Sequence, residues 1–532
     1  MAITVLFALY CLAAFCLFIY GINCYLLVNR FRRHRQQGLD KLQKVREAYK
    51  HISDQDLPTV TIQLPIYNER WVVGRLIQAV CHIQWPREKL EIQVLDDSTD
   101  DTTPIIQELV THFQSEGLSI THLHRTHREG FKAGALQAGL MAARGKLIAI
   151  FDSDFVPHPD FLRQTVPFFS NPKIGMVQTR WSHLNENYSF LTRIQAVAID
   201  RHFGVEQSAR CWAGFFLNFN GTGGVWRRTA IEQAGGWEPD TLTEDLDLSY
   251  RAQLHGWKME YLPDVDVPSE IPIDLPAFKS QQRRWAKGSI QTAIKLLPRV
   301  FSSQVPLFTK LQAFIHLTHY LIHPLMLIIA LTSLPLMTFE SSLWAIFPFA
   351  PACIFLCLAT AGPSALYITA QQSLHKNWRR RILWIPALMV IGTGLAVSNT
   401  RAVLEACLGT ANYFVRTPKH NIIGMTNGPQ TSYPLMIFDS VAILEALMAI
   451  YCVFGLIWSV QIGQYMISPF LFLYAAGFAL MVFFSTKEAA RLRWHPQTLF
   501  TSDDLQSHVF ASERAYKEAL GLRETAPLKP SL

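Results

Sequence analysis

Residues 3–29 form an uncharged run, long enough as a helix to cross a hydrocarbon core of roughly 30 Å. No water is available there to satisfy backbone N–H and C=O groups, so such a run must be helical. Four more apolar stretches follow, at about 311–337, 344–370, 437–460 and 463–485. These segments tie the chain to a membrane. The longest remaining part, residues 30–310, lies between the first segment and the other four.

Composition agrees. Half of the 532 residues are hydrophobic and 17% are charged, which is apolar for a wholly soluble protein. The net charge of +7 is modest, and much of the basic excess flanks apolar segments, as at Arg30, Arg32, Arg33 and Arg35 and at Arg379, Arg380 and Arg381. That placement reads as membrane topology, and no nucleic-acid partner is expected. The nine cysteines are scattered without a C-x-x-C pair, so neither a disulfide framework nor a cysteine zinc site is indicated. No basic residue precedes the first apolar run and no small-residue cleavage site follows it, as expected of a retained anchor. The cluster from Arg30 puts that end in the cytosol and the N-terminus outside. A sixth apolar stretch, 382–407, lies between two basic flanks, and a single crossing cannot join two cytosolic flanks. With Arg401 and Glu405 in its second half, it is expected to lie in the interface. The alternative is a six-span protein in which 382–407 crosses.

Between Thr59 and Pro276 short β-like runs alternate with helical stretches, among them residues 60–64, 92–95 and 147–151. Each ends in polar or acidic residues, as in α/β folds that deliver ligands at the C-terminal ends of strands. Asp96-Asp97 ends one strand, and its carboxylates can accept hydrogen bonds from a base or ribose; capping of the following helix is an equal reading. Asp152-Ser153-Asp154 follows a buried-strand pattern and offers the hard oxygen ligands that suit Mg²⁺ or Mn²⁺. Glu244-Asp245 opens an amphipathic helix: it compensates the helix dipole or supplies a general base, Asp245. Gln281-Gln282-Arg283-Arg284-Trp285 offers two guanidinium groups for a diphosphate and a flat face for a sugar ring, or else forms an amphipathic surface helix. His316, His319 and His323 share one helix face, where polar packing or pore lining is favoured over metal binding.

These segments, with Gln63-Leu-Pro-Ile-Tyr-Asn-Glu69, Phe131-Lys-Ala-Gly-Ala-Leu136 and Phe219-Asn-Gly-Thr-Gly-Gly-Val-Trp226, resemble the processive membrane glycosyltransferases of family 2, the cellulose synthase superfamily. The nearest groups are the cellulose synthase-like A and C mannan and glucan synthases. The resemblance implies an α/β GT-A catalytic domain joined to an α-helical transmembrane domain. It also implies a nucleotide-sugar donor (UDP-glucose or GDP-mannose), a divalent metal (Mg²⁺ or Mn²⁺), and inversion at the anomeric carbon. The expected product is a β-glucan or mannan extended at its non-reducing end and secreted through the membrane domain; a glycolipid is the alternative. Carried onto this chain, donor binding falls to Tyr67, Glu69, Asp96, Asp97, Lys132, Asp152, Gln282, Arg283, Arg284, Thr417 and Lys419. Metal binding falls to Asp152 and Asp154, catalysis to Asp245 with Glu244, and acceptor binding to Asn220, Gly221, Thr222, Gln281 and Trp285.

Phe414-Val-Arg-Thr-Pro-Lys419 looks like the family's gating loop, with Arg416 in place of its usual valine. The organisation expected is a transmembrane helix (1–29), a juxtamembrane segment (30–58), the GT-A domain (59–276) and an interface helix (277–300). Two transmembrane helices (301–370), an in-plane helix (371–409), the gating loop (410–433), two more transmembrane helices (434–485) and a cytosolic tail (486–532) complete it. The protein is expected to be integral and multi-pass with a cytosolic catalytic domain, at the inner membrane if the source is bacterial. Membrane lipid and accessory secretion subunits are the further expected partners.

Overall fold

The computed structural model describes residues 2–338, 349–412, 416–423, 440–494, 516–517 and 520. Parts of the expected gating loop, of the 344–370 span and of the C-terminal tail therefore lie outside the described residues. The catalytic domain is built on seven strands: β1 (Val60–Ile66), β2 (Leu90–Asp96), β3 (Ile120–His124), β4 (Leu147–Ile150), β5 (Ile174–His183), β6 (Gly224–Arg227) and β7 (Lys258–Ser269). Their order across the sheet is β3-β2-β1-β4-β6-β5-β7. Strands β1 to β4 run parallel, β6 runs antiparallel to both its neighbours, and β5 and β7 are parallel to each other.

Helices cover both faces of the sheet, so its strands are apolar on both sides. Strand β4 illustrates the period of two: Leu147 and Ala149 enter one core cluster, Ile148 and Ile150 the other. The chain reverses its direction of travel across the sheet between β1 and β4. The C-terminal ends of β1, β2 and β4 gather beside that crevice, where ligands bind in open α/β sheets.

Five helices among the described residues are long and apolar enough to cross a membrane, within Ile3–Tyr49, His319–Thr338, Ile354–Leu374, Ser440–Gln461 and Ser468–Lys487. The chain is a membrane protein. Two details differ from the sequence reading. The expected span from about 311 is interrupted: a helix ends at Leu317 and the crossing segment starts at His319. The Thr318 carbonyl at this break accepts the Leu321 N–H (2.9 Å) and, as a second donor, the hydroxyl of Tyr20 on the N-terminal helix (3.1 Å). The stretch 382–407 forms Trp378–Gly394 and Ala396–Cys407, bent by 46°. The three histidines do not converge on an ion. His316 pairs with the Tyr250 hydroxyl (2.7 Å), His323 with the Asn399 amide (2.9 Å), and His319 with the His316 carbonyl of the preceding helix (2.7 Å).

One amphipathic helix, Leu275–Ser302, joins the two halves. Its Asp274 cap accepts from the Ala277 N–H at 2.7 Å. Lys279 pairs with Glu445 of a membrane helix (2.7 Å), and Arg283 with Glu405 (2.7 Å). On the catalytic side Gly288 lies against Thr243, where an added Cβ would stand 2.6 Å from the Thr243 side chain and 2.8 Å from its backbone nitrogen. Gly288→Ala must push this helix off Thr243, and overpacking of this kind costs about 1–3 kcal/mol. A Cβ added at Gly392 would meet nothing within 4 Å. Thermal melts in detergent should therefore show a lowered midpoint for Gly288→Ala and no loss for Gly392→Ala.

Candidate active site

One cavity opens beside the C-terminal ends of β1, β2 and β4. It gathers Tyr67, Glu69, Asp97, Lys132, Asp152, Asp154, Asn220, Gly221, Glu244, Asp245, Gln281, Arg284, Trp285, Thr417 and Lys419. Its wall thus combines the catalytic domain, helix Leu275–Ser302 and the segment after residue 415. Fifteen expected site residues meet here, although they are scattered from position 67 to 419.

The backbone is specialised around this cavity. Asn68, between Tyr67 and Glu69, has φ 54°, and Phe131, just before Lys132, has φ 50°. Positive φ is uncommon outside glycine and costs energy, and such residues concentrate at functional sites. Gly221 has φ 82°, and a Cβ there would stand 3.1 Å from Asp245 Oδ2 and 3.3 Å from Lys132 Nζ. This glycine lets the general-base candidate and the lysine approach one backbone turn. The Gly221 carbonyl accepts from Lys132 at 3.0 Å.

The cavity pairs its own charges. Lys132 donates to Asp152 Oδ1 at 2.5 Å, and Lys419 to Asp154 Oδ2 at 2.7 Å. Lys419 also donates to the Glu270 carbonyl (2.7 Å), while the Glu270 carboxylate accepts the His420 N–H (2.7 Å). Arg416 forks onto buried Glu69 and the Asn68 carbonyl. Burial pushes the Glu69 carboxyl up to about 7, with Arg416 opposing the shift. Burial also opposes the charge on Lys132, but Asp152 and Glu244 outweigh it and hold the ammonium above its usual range.

Glu244 and Asp245 lie in the first turn of helix Glu244–Leu254, directly after Thr243. Burial raises both carboxyls; Asp245 reaches about 7 through burial and the adjacent Glu244, against the pull of Lys132. A carboxylate poised near neutrality is suited to proton abstraction. Arg284 faces this group and its guanidinium is lowered by burial, with Glu244 and Asp152 acting the other way. Trp285 lines the cavity and also packs with the cluster of Ile290, Tyr320 and Val403.

Four expected residues do not line the cavity. Arg283 turns to Glu405 at 2.7 Å, and Gln282, its neighbour, also lies away from the cavity wall. A helix can turn only part of its circumference toward one cleft, and here Gln281, Arg284 and Trp285 hold that face. Thr222 is fully buried and its Oγ1 accepts the Asp152 N–H (2.8 Å), so it positions Asp152. Asp96 is fully buried, and its carboxylate is taken up by Ser98 N–H, Thr103, His122 and His124. Burial works against its charge, but these hydrogen bonds hold its carboxyl well below the usual range.

Sequence reading missed Arg125, Arg128 and Glu270. Arg125 clamps Asp97 with two bonds, at 2.7 and 2.6 Å. Arg128 lies over the Tyr67 ring at 3.5 Å and lines the cavity. Glu270 directly follows β7, so a strand-end signal was present in the sequence.

Residues 58–288 match a family model described as "Glycosyltransferase like family 2". The chain is 36% identical over 391 residues to the probable glucomannan 4-beta-mannosyltransferase 10 of Arabidopsis thaliana, covering 69% of this chain and 70% of that protein. It is 45% identical over 251 residues to glucomannan 4-beta-mannosyltransferase 1 of Oryza sativa subsp. japonica, covering 46% of this chain and 48% of that one. Among solved structures, the mannosyltransferase PcManGT from Pyrobaculum calidifontis, in complex with GDP-Man and Mn²⁺, aligns with 18% identity and a TM-score of 0.44, covering 74% of this chain and all of that one. The mixed sheet is the GT-A arrangement that the motifs implied. The chain belongs to glycosyltransferase family 2, within the cellulose synthase superfamily.

Proposed function

We propose that the chain is an inverting, processive β-glycosyltransferase that draws hexose from a nucleotide sugar and adds it to the non-reducing end of a β-mannan or glucan. One observation carries this reading: a carboxylate poised near neutrality, Asp245, shares a cavity with Asp152, Asp154, Arg284 and Trp285, and that cavity's wall includes the helix seated on the membrane domain. The names of the relatives favour mannose over glucose as the transferred hexose, and GDP-mannose is accordingly the donor to test first. In this reading the cavity faces the cytosol, five helices cross the membrane, the bent pair 378–407 lies in the interface, and the polymer leaves between the crossing helices.

Trp285 offers its indole face to the terminal acceptor sugar and orients the attacking hydroxyl. Asp245 takes that hydroxyl's proton as its oxygen bonds the anomeric carbon, and the bond from that carbon to the diphosphate oxygen breaks. Arg284 and Lys132 lie in the same cavity to receive the negative charge on the departing nucleoside diphosphate. Asp152 and Asp154 each hold an ammonium group and present hard oxygen donors, a set that fits Mg²⁺ or Mn²⁺ completed by water and phosphate oxygens. Such an ion, when bound, would neutralise the diphosphate.

The test is a panel of nucleotide sugars offered to the purified chain in detergent, with Asp245→Asn as control. Release of nucleoside diphosphate from GDP-mannose, with a ladder of polymer products, is expected; a single glycolipid product would replace the synthase reading with simple lipid glycosylation. Asp245→Asn should keep donor binding and lose about 10²–10⁴-fold in turnover, the usual scale of general-base loss.

The pH profile carries a sign. Asp245 acts only when ionised, so kcat/KM should fall as pH drops through about 7. Glu244→Gln removes a neighbouring negative charge that raises Asp245, so the acid limb should move to lower pH. An unmoved limb would dissociate it from this pair.

Trp285→Ala should spare donor affinity and abolish extension, since misplacement by about 1 Å can cost on the order of 10²-fold. Trp285→Phe should recover part of the turnover. Unchanged turnover per mole of folded protein in both variants would reduce Trp285 to a packing residue.

A further inference from the structure

The strongest unassigned feature lies at the end of the sheet's edge, outside the donor cavity. In the β2–β3 register Asp96 stands opposite His124, and His122 lies two residues back on the same strand, hence on the same face. Asp96 Oδ2 is 2.9 Å from His122 Nε2 and 3.1 Å from His124 Nδ1, and the three ligand atoms all lie within 4.8 Å of one another. A tetrahedral Zn²⁺ with ligand bonds of roughly 2.0–2.2 Å spaces its ligand atoms by about 3.3 Å. The two carboxylate–imidazole separations therefore need to open by only a few tenths of an ångström.

We infer that Asp96, His122 and His124 form a site for a borderline divalent transition-metal ion, Zn²⁺ foremost, separate from the hard-cation carboxylates of the cavity. Two imidazoles and one carboxylate suit Zn²⁺, Co²⁺ or Ni²⁺ and discriminate against Mg²⁺. The carboxylate is oriented in advance, because Oδ1 accepts the Ser98 N–H and Oδ2 the Thr103 hydroxyl, each at 2.8 Å. The site is reachable: the His124 side chain is 38% exposed, which leaves room for water as a fourth ligand. Its place gives it a consequence. Arg125 follows His124 directly and clamps Asp97, which follows Asp96 and lines the cavity. An ion bridging β2 and β3 would brace that clamp and so stiffen one wall of the donor cavity.

The experiment uses the full chain in detergent, tag removed, stripped with chelator, and held in excess Mg²⁺ to fill hard-oxygen sites. Co²⁺ is titrated by its visible absorption, and Zn²⁺ by competition. One equivalent should bind, and it should bind to Asp154→Ala equally well. His122→Gln and His124→Gln should each weaken binding by more than the roughly 10–100-fold typical of losing an outer-shell partner. Saturating Zn²⁺ should raise the melting temperature of the wild-type chain and not that of the double variant. Zinc-edge X-ray absorption of the wild-type chain, which needs no variant to fold, should count two imidazole ligands at about 2.0 Å. Failure of the wild-type chain to bind either ion, a zinc site without two imidazoles, or unchanged binding in the double histidine variant would each overturn the assignment.

Discussion

The seating of helix Leu275–Ser302 on Thr243 is the contact on which the rest of this molecule depends. Gly288 allows that approach, and Thr243 immediately precedes the helix that carries Glu244 and Asp245. The same helix presents Gln281, Arg284 and Trp285 to the cavity and reaches Glu445 of the apolar helix Ser440–Gln461 through Lys279. Gln281, Arg284 and Trp285, the Glu244–Asp245 pair and the anchorage at Glu445 are thus set by one packed surface. A shift at Gly288 would be felt at all three.

The cavity follows a second constraint, the burial of many like charges in a small space. Glu69, Asp152, Asp154, Glu244 and Asp245 would repel one another without Lys132, Arg284, Arg416 and Lys419 among them. Two of these cations, Arg416 and Lys419, arrive from a segment far along the chain, so that segment closes the cavity while balancing its charge. Any anion entering here therefore competes with carboxylates for cations that are already paired. Arg416, where the family pattern has valine, gives this chain an ionic hold on Glu69 that an apolar residue could not make.

Much of this was legible in the sequence because strands announce themselves by apolar runs and deliver acids at their ends. Asp97, Asp152 and Asp154 were placed by that logic, and Trp285 by a motif at the head of the membrane segments. The misplacements have a common cause. Asp96 and Thr222 have side chains directed into the protein, and one residue along a strand end reverses its face, a distinction that adjacent acids such as Asp96-Asp97 do not reveal. Arg283 and Gln282 fail for the helical version of that reason. His122-x-His124 carried a strand-spacing signal, but its partner Asp96 lies on a neighbouring strand, so only the register of β2 and β3 brings the three together. The bend in 378–407 falls directly after Gly392-Thr393-Gly394, a glycine pattern that weakens a helix locally and that an unbroken in-plane helix overlooks.

Asp200 shows how firmly the catalytic and membrane halves are tied. Its buried carboxylate is shared by Gln371 (3.0 Å), His375 (2.8 Å) and Arg381 (3.0 Å), all beyond the catalytic domain, with His183 of β5 3.4 Å away. Separating the halves would strip Asp200 of three partners and Arg381 of both its carboxylates, Asp200 and Glu186, a larger loss than parting a wet surface. The two halves should consequently melt together as a single cooperative unit, and excising the soluble domain at its apparent boundary would expose an uncompensated charge at the cut face.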